Sequence, residues 1–266
     1  MRTSIKALAA STVLAVSVFA AAAPALADEA APPSDFTVTG SVAIASQYRF
    51  RGVAQSDNKP VVQGALTIAH SSGFYVSTWA SSASAGSSPV NIGGTEIDVY
   101  GGYTKTLSGI TLDGGLYGYI YPGATLGNYY EIYGSVATTV GPATAKVGAN
   151  YAPAQKVFNI NWTSSSRENL YIYGELSGSI PSTPILLHGH IGHTGGGFDY
   201  PKQYIDYTVG ATVKWKNLAL DASLVGTNAT RTKFFNSNLG AGSAETTNAY
   251  YRTGKPVGVV SLTASF

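Results

Sequence analysis

Cysteine is absent from the 266-residue chain. Disulfide frameworks and thiolate metal sites are therefore excluded, and a chain of this length must be held by a core, a closed sheet or a membrane. Charge is scarce as well. Asp, Glu, Lys and Arg make up 11% of the residues, against roughly 25% in ordinary soluble domains. Beyond residue 27 no run reaches the roughly 18 apolar residues that a membrane-spanning helix needs. The formal charge of +2 comes from 16 basic and 14 acidic residues, and Arg2 and Lys6 at the start supply that excess. The charge balance gives no reason to expect a nucleic-acid partner.

What the chain does have is glycine and tyrosine, 31 and 18 residues. It also has a leader. Arg2 and Lys6 precede an apolar Ala/Val stretch, and Ala25-Leu26-Ala27 follows Pro24. That order is a secretory signal peptide, residues 1–27, with cleavage expected after Ala27. Residues 28–35 read as a polar periplasmic lead-in. An exported chain that is poor in charge, rich in Tyr and Gly and free of a membrane helix points to a transmembrane β-barrel. A soluble β-sandwich or jelly roll competes with it.

Periodicity favours the barrel. Phe36, Val38, Gly40, Val42 and Ile44 fall on one face of the first segment, and Thr37, Thr39, Ser41 and Ala43 on the other. Similar period-two segments recur to the end of the chain, about twelve in all, each near the length of a tilted membrane strand. The connections alternate. Short ones are expected near residues 71–73, 107–109, 141–142, 181–184 and 216–217. Longer ones are expected at 51–60, 83–94, 122–128, 152–169, 195–203 and 227–255. Short turns on one side and long loops on the other are the asymmetry of outer-membrane barrels. Residues 36–266 are thus expected to form one all-β, antiparallel, up-and-down transmembrane barrel. Phe266, the last residue, has the aromatic character of a terminal strand that barrel-assembly machinery reads.

The stretch SQYRFRG, residues 46–52, sets Arg49 and Arg51 against Tyr48 and Phe50. Read as a continuing strand, it sends the arginines into the barrel mouth and the rings to lipid. The arginine pair then acts either as a constriction that reads solute charge or as an ionic clamp on the first loop. SQYRFRG with QSD (residues 55–57), SSGFYVSTWAS (71–81), TEIDVYGGY (95–103), YGYIYPG (117–123) and NYYEIYGS (128–135) resembles the TorF-like porins. The resemblance spans most of the chain after the leader and is strongest in its first half. It implies a porin of the bacterial outer membrane, without naming a solute or a set of pore residues.

On the barrel reading the polar face lines the lumen. The residues expected there are Arg49, Arg51, Glu96, Asp98, Tyr117, Tyr119, Glu131, Lys146, Glu175, His188, His190, Asp206 and Lys214, with Asp113 and Asp221 beside them. Acids outnumber bases in this set, which gives a weak cation preference by ring-of-charge logic. Tyr48, Phe50, Tyr130, Tyr151 and Trp215 are expected to form an aromatic girdle at the lipid boundary. The function expected is passive diffusion of small hydrophilic solutes, with outer-membrane lipid and the assembly machinery as partners. No catalytic residue, metal or cofactor is implied. One alternative is a barrel hydrolase using His188 and His190, with Glu175 and Asp206 near them. Another is a structural or recognition barrel with a blocked lumen that works through its outer loops.

Overall fold

Alternating side chains build a single closed wall. The computed structural model describes residues 35–84, 93–124, 127–158, 167–198, 203–230 and 252–266. The expected leader, nearly all of the lead-in and most of the last long loop lie outside these residues. Fourteen strands run in chain order: β1 (Phe36–Ala45), β2 (Arg49–Phe50), β3 (Val53–Ala54), β4 (Val61–His70), β5 (Phe74–Ser82), β6 (Thr95–Leu107) and β7 (Ile110–Ile120). Then come β8 (Tyr129–Val140), β9 (Ala143–Gln155), β10 (Arg167–Ser179), β11 (Ile185–Gly196), β12 (Tyr204–Trp215), β13 (Leu218–Thr227) and β14 (Val257–Ser265).

All but β2 and β3 close into one barrel, in the order β1-β14-β13-β12-β11-β10-β9-β8-β7-β6-β5-β4. Its twelve strands are the twelve expected from the alternation, paired antiparallel with their neighbours. Closure satisfies every edge, which a sheet in lipid requires because no water is there to bond a free edge. No helix among the described residues is long and apolar enough to cross a membrane; the crossing elements are strands.

The seam closes at β1 and β14. Ala43 faces Thr263 and Ala45 faces Ser261. The Gly40 amide donates to the Phe266 carbonyl at 2.8 Å, and the Phe266 amide returns the bond to Gly40 at 2.9 Å. The Phe266 ring then lies over Gly40, where an added Cβ would stand 2.6 Å from ring carbon Cε2. The terminal aromatic thus needs a residue without a side chain as its seat.

The two faces of the wall have opposite chemistry. Outward positions carry exposed Val38, Ile44, Leu116, Ile172, Val209 and Leu262, the surface of a barrel solvated by lipid. Aromatic residues mark both rims. Trp215 and Phe266, 65% and 73% exposed, flank the short turns, while Tyr130 and Tyr151 sit at the long-loop end. Inward positions carry Thr, Ser, Ala, Gly, the charges and most of the buried tyrosines. The rings pack into notches: a Cβ on inward Gly148 would stand 2.5 Å from the Tyr173 ring. This pairing of large and absent side chains explains why the chain is rich in both Tyr and Gly.

Two expectations about this architecture need correction. β1 ends at Ala45 and does not continue through SQYRFRG. Ser46 makes the last backbone bond to β14, its amide donating to the Val260 carbonyl at 2.8 Å, and the chain then turns inward. β9 and β10 also run further than the alternation suggested, to Gln155 and from Arg167, which shortens the loop expected at 152–169.

Replacing Gly40 with Val should displace the Phe266 ring and weaken closure at β1–β14. We expect slower refolding into micelles and a lower temperature for loss of the compact, heat-modifiable gel band. A variant as stable as the parent would mean that the terminal ring has another seat.

Candidate functional site

The first long connection does not stand outside the barrel. Residues 46–60 fold back into the loop end of the lumen and form a small hairpin, β2–β3. Arg49 pairs with Ala54 and Phe50 with Val53, apart from the barrel ladder. The two-residue turn between the strands is Arg51-Gly52, with φ of 46° and 77°. Two successive positive φ values are the hallmark of the tight type I′ hairpin, which favours Gly at its second position. Gly52 is also pressed on the wall at β13: an added Cβ would lie 2.6 Å from the Gly226 carbonyl oxygen. Val53 packs against Tyr204 and Ala229.

Each arginine has its own task. Arg49 ties the hairpin stem to its surroundings. Its Nε donates to Gln47 Oε1 at 2.8 Å, its Nη2 to Asn58 Oδ1 at 2.8 Å, and its Nη1 to the carbonyls of Gly52, Thr253 and Lys255. Burial lowers its pKa to about 10, and the five acceptors offset part of that desolvation. Arg51 reaches across the bore to β8. Its Nη2 donates to both Glu131 oxygens, at 2.8 and 2.7 Å. Both side chains are 0% exposed. Burial alone would lower the Arg51 pKa, but Glu131 and the facing tyrosines Tyr119, Tyr129 and Tyr171 outweigh it and hold the guanidinium above its ordinary value.

Glu131 is a hub. Besides Arg51 it accepts from Tyr119 Oη at 3.1 Å and from Asn150 Nδ2 at 3.0 Å. The Arg51 guanidinium carbon lies 4.2 Å from the Tyr171 ring centroid, 4.7 Å from Phe50 and 5.7 Å from Phe198, within the range of cation–π attraction. β8 is separated from β1 by several strands in either direction around the barrel. The hairpin and its ion pair therefore form a bar across the lumen.

The positions singled out from sequence fall as follows. Glu96, Asp98, Tyr117, Tyr119, Glu131, Lys146, His188 and Asp206 are buried inside the barrel. Tyr48 donates to Glu96 Oε1 at 2.9 Å, and Tyr117 to Asp98 Oδ2 at 2.8 Å. His190 lies directly across from Glu175 in the β10–β11 register. Its Nδ1 is 3.5 Å from Glu175 and its Nε2 is 3.2 Å from Asp206. Tyr171 Oη is 2.7 Å from the same Nε2. Lys146 pairs with Glu175 at 3.6 Å. His188 meets Asp221 at 2.6 Å, and Thr212 and Ser223 donate to that carboxylate. Lys214 is half-buried near the turn end. Asp57, in the loop after the arginines, pairs with Arg252 and Lys59.

Tyr48 and Phe50 are not part of an outer girdle. Tyr48 is buried, edge-on to Trp79 with centroids 5.2 Å apart, and Phe50 packs edge-on against Tyr119 and Phe198. Once the strand stops at Ala45, strand parity no longer governs where these side chains point. Tyr130, Tyr151 and Trp215 do face outward. Sequence reasoning missed Asn150, Tyr171 and Phe198 as partners of the arginine bar. The available signal was inward parity of Asn150 and Tyr171 on β9 and β10.

The lumen is asymmetric. At the loop end Tyr48, Arg51, Glu131, Tyr171, Thr194 and Asp206 are all buried. Toward the short turns the inward residues are smaller: Thr39, Ser41, Thr104, Thr111 and Thr144 are half-buried and Thr37, Thr106 and Thr139 are exposed, while Leu186, Thr212, Ala219 and Thr263 on β11–β14 are buried. Among the described residues no group of three or more His, Cys, Asp or Glu side chains has the arrangement of a metal site.

Comparison with known proteins agrees with this architecture. A family model described as "Bacterial protein of unknown function (Gcw_chp)" matches residues 29–266. No curated protein matches the chain. Among solved structures, the NanC porin superposes with a TM-score of 0.55 at 10% identity, covering 86% of this chain and 99% of that one. A membrane protein crystallized in meso gives a TM-score of 0.53 at 9% identity, covering 86% and 83%. At such low identities the likeness is one of fold.

If Arg51 and Glu131 form the central contact, Glu131→Gln should cost about 3–5 kcal/mol, the usual penalty for stranding one charge of a buried pair. The pair Arg51→Met with Glu131→Leu should recover much of that loss. Urea unfolding of the micelle-refolded protein measures both. Additive losses in the double variant would contradict a direct contact.

Proposed function

The chain belongs to the Gcw_chp family of bacterial proteins, and for this member we propose a porin-like outer-membrane channel for small hydrophilic solutes, closed at its outer mouth by the first-loop hairpin. One observation carries the reading. The lumen is divided by a removable element, the first-loop hairpin, held by side chains and not by the ladder of the wall. A barrel meant only as a scaffold has no need of such a divided interior. The porin-like fold, the lipid-facing belt and the resemblance to TorF-like porins support the same reading. With short turns placed in the periplasm, the hairpin faces the cell exterior. The leader implies export with cleavage after Ala27, and Phe266 implies handling by the barrel-assembly machinery.

Transport on this account is passive. Solute enters when the hairpin moves off the bore, and the charge of the wall then sorts ions. Glu96, Asp98, Asp113, Glu131, Asp206 and Asp221 are buried acids of the wall, whereas two of the buried bases, Arg49 and Arg51, leave with the hairpin. The open path is therefore acidic and favours cations. Hydrolysis has less support. His188 and His190 are engaged by carboxylates and Tyr171, and among the described residues no serine or threonine hydroxyl bonds to either ring.

Planar-bilayer recording tests the proposal. The parent should show rare openings, and Glu131→Gln should raise open probability at least several-fold. Reversal potentials in a salt gradient should report cation preference. Silence of both proteins across voltages would overturn the channel reading.

A further inference from the structure

The environment of Arg51 has the chemistry of a ligand site. A buried carboxylate lies at one end of the guanidinium, rings lie around it, and amide and phenol donors hold the carboxylate in place. All of these except Phe50 belong to the wall or to the loop that carries Phe198, not to the hairpin. Carboxylate plus aromatic faces is how proteins recognise guanidinium and ammonium groups.

The occupant also fits the site incompletely. Arg51 Nε and Nη1 find no acceptor, although both are buried. On the same side of the lumen Asn150 Oδ1 and Asp206 Oδ2 find no donor. Asn150 shares Glu131 with Arg51, and Asp206 accepts from Tyr171, on whose ring Arg51 rests. Donors on Arg51 and acceptors on two residues that share its partners thus go unused. Arg51 is held at a hairpin turn with φ of 46°, and its guanidinium is committed to Glu131 through Nη2 alone. A guanidinium that is not tied to the chain is free to use these acceptors.

We propose that the Glu131–Asn150–Tyr171–Asp206 cage is a binding site for small guanidinium-bearing solutes, and that Arg51 is its tethered occupant in the closed state. The inference deepens the channel reading by naming a solute class: closure is self-occupancy, and a solute of the right chemistry competes with the hairpin. Glu131 supplies the charge, Tyr171 the stacking face, and Asn150 and Asp206 the additional acceptors. A sodium ion gains the charge but neither the fork of hydrogen bonds nor the stacking.

The test is chemical rescue, read without conductance. Arg51→Ala is refolded into micelles, and its thermal midpoint is followed by loss of the compact gel band. A ligand that binds only the folded state raises the midpoint saturably. Low-millimolar methylguanidinium should restore at least half of the midpoint lost on substitution. Sodium and tetramethylammonium at equal concentration should restore far less. Arg51→Ala combined with Glu131→Gln should show no rescue. If Arg51→Ala does not fold, Arg51→Lys, which keeps a charge for Glu131, is assayed instead and should give a smaller saturable rise. No saturable rise, or an equal rise with sodium, overturns the site. A silent bilayer alongside a clear rescue would overturn the channel and leave the site. Conductance without rescue would do the reverse.

Discussion

A buried ion pair that spans a barrel organises this molecule. Arg51 and Glu131 are both removed from water, a costly arrangement unless each finds its partner and further bonds. The partner of Glu131 comes from the opposite side of the bore, so the cost is avoided only while the hairpin stays folded inward. The aromatic layer follows from the same constraint. Tyr119 and Tyr171 both flank the pair, one donating to Glu131 and one stacking under Arg51. Glycines in the wall make room for rings of this size. This layer packs the loop end of the lumen, and Leu186, Ala219 and Thr263 are buried near the turn end.

The wall asks for little beyond alternation. Outward Val, Ile, Leu and Phe meet lipid, inward Thr, Ser and Ala meet water, and closure satisfies the backbone. Such a barrel can be built from many sequences, which fits the 10% identity to the NanC porin at shared fold. The interior is specific in a way the wall is not. His190 between Glu175 and Asp206, and Lys146–Glu175, tie adjacent strands together, and His188–Asp221 links β11 to β13 across β12. These pairs match the wall's charges locally, and among the described residues only the Arg51 contact matches charges across the lumen.

What could be read from the sequence divides along the same line. Strand number, the alternation of short and long connections, and the inward parity of Glu131, His190 and Asp206 are local properties of period two. They were legible because a one-residue slip would exchange the two faces of a strand. Even the facing of Glu175 and His190 follows from counting back from a short turn. The hairpin was not legible this way. SQYRF alternates as a strand does, yet its aromatic face goes to the lumen because the chain leaves the wall at Ser46. That exit depends on the space the barrel encloses, which no local pattern reports. The Arg51-Gly52 turn is the one local clue, since X-Gly between short alternating segments is a hairpin signal.

The central claim is that the hairpin lies inside the barrel and closes it. The chain has no cysteine of its own, so a designed pair is unambiguous. Val53 of the hairpin packs in one cluster with Ala229, just beyond β13. Val53→Cys with Ala229→Cys, oxidised in the refolded protein and recorded in a planar bilayer, tests position and closure together. The account predicts efficient cross-linking, no conductance while the disulfide is intact, and openings on reduction. Failure to cross-link, or equal conductance in the oxidised and reduced protein, would contradict it.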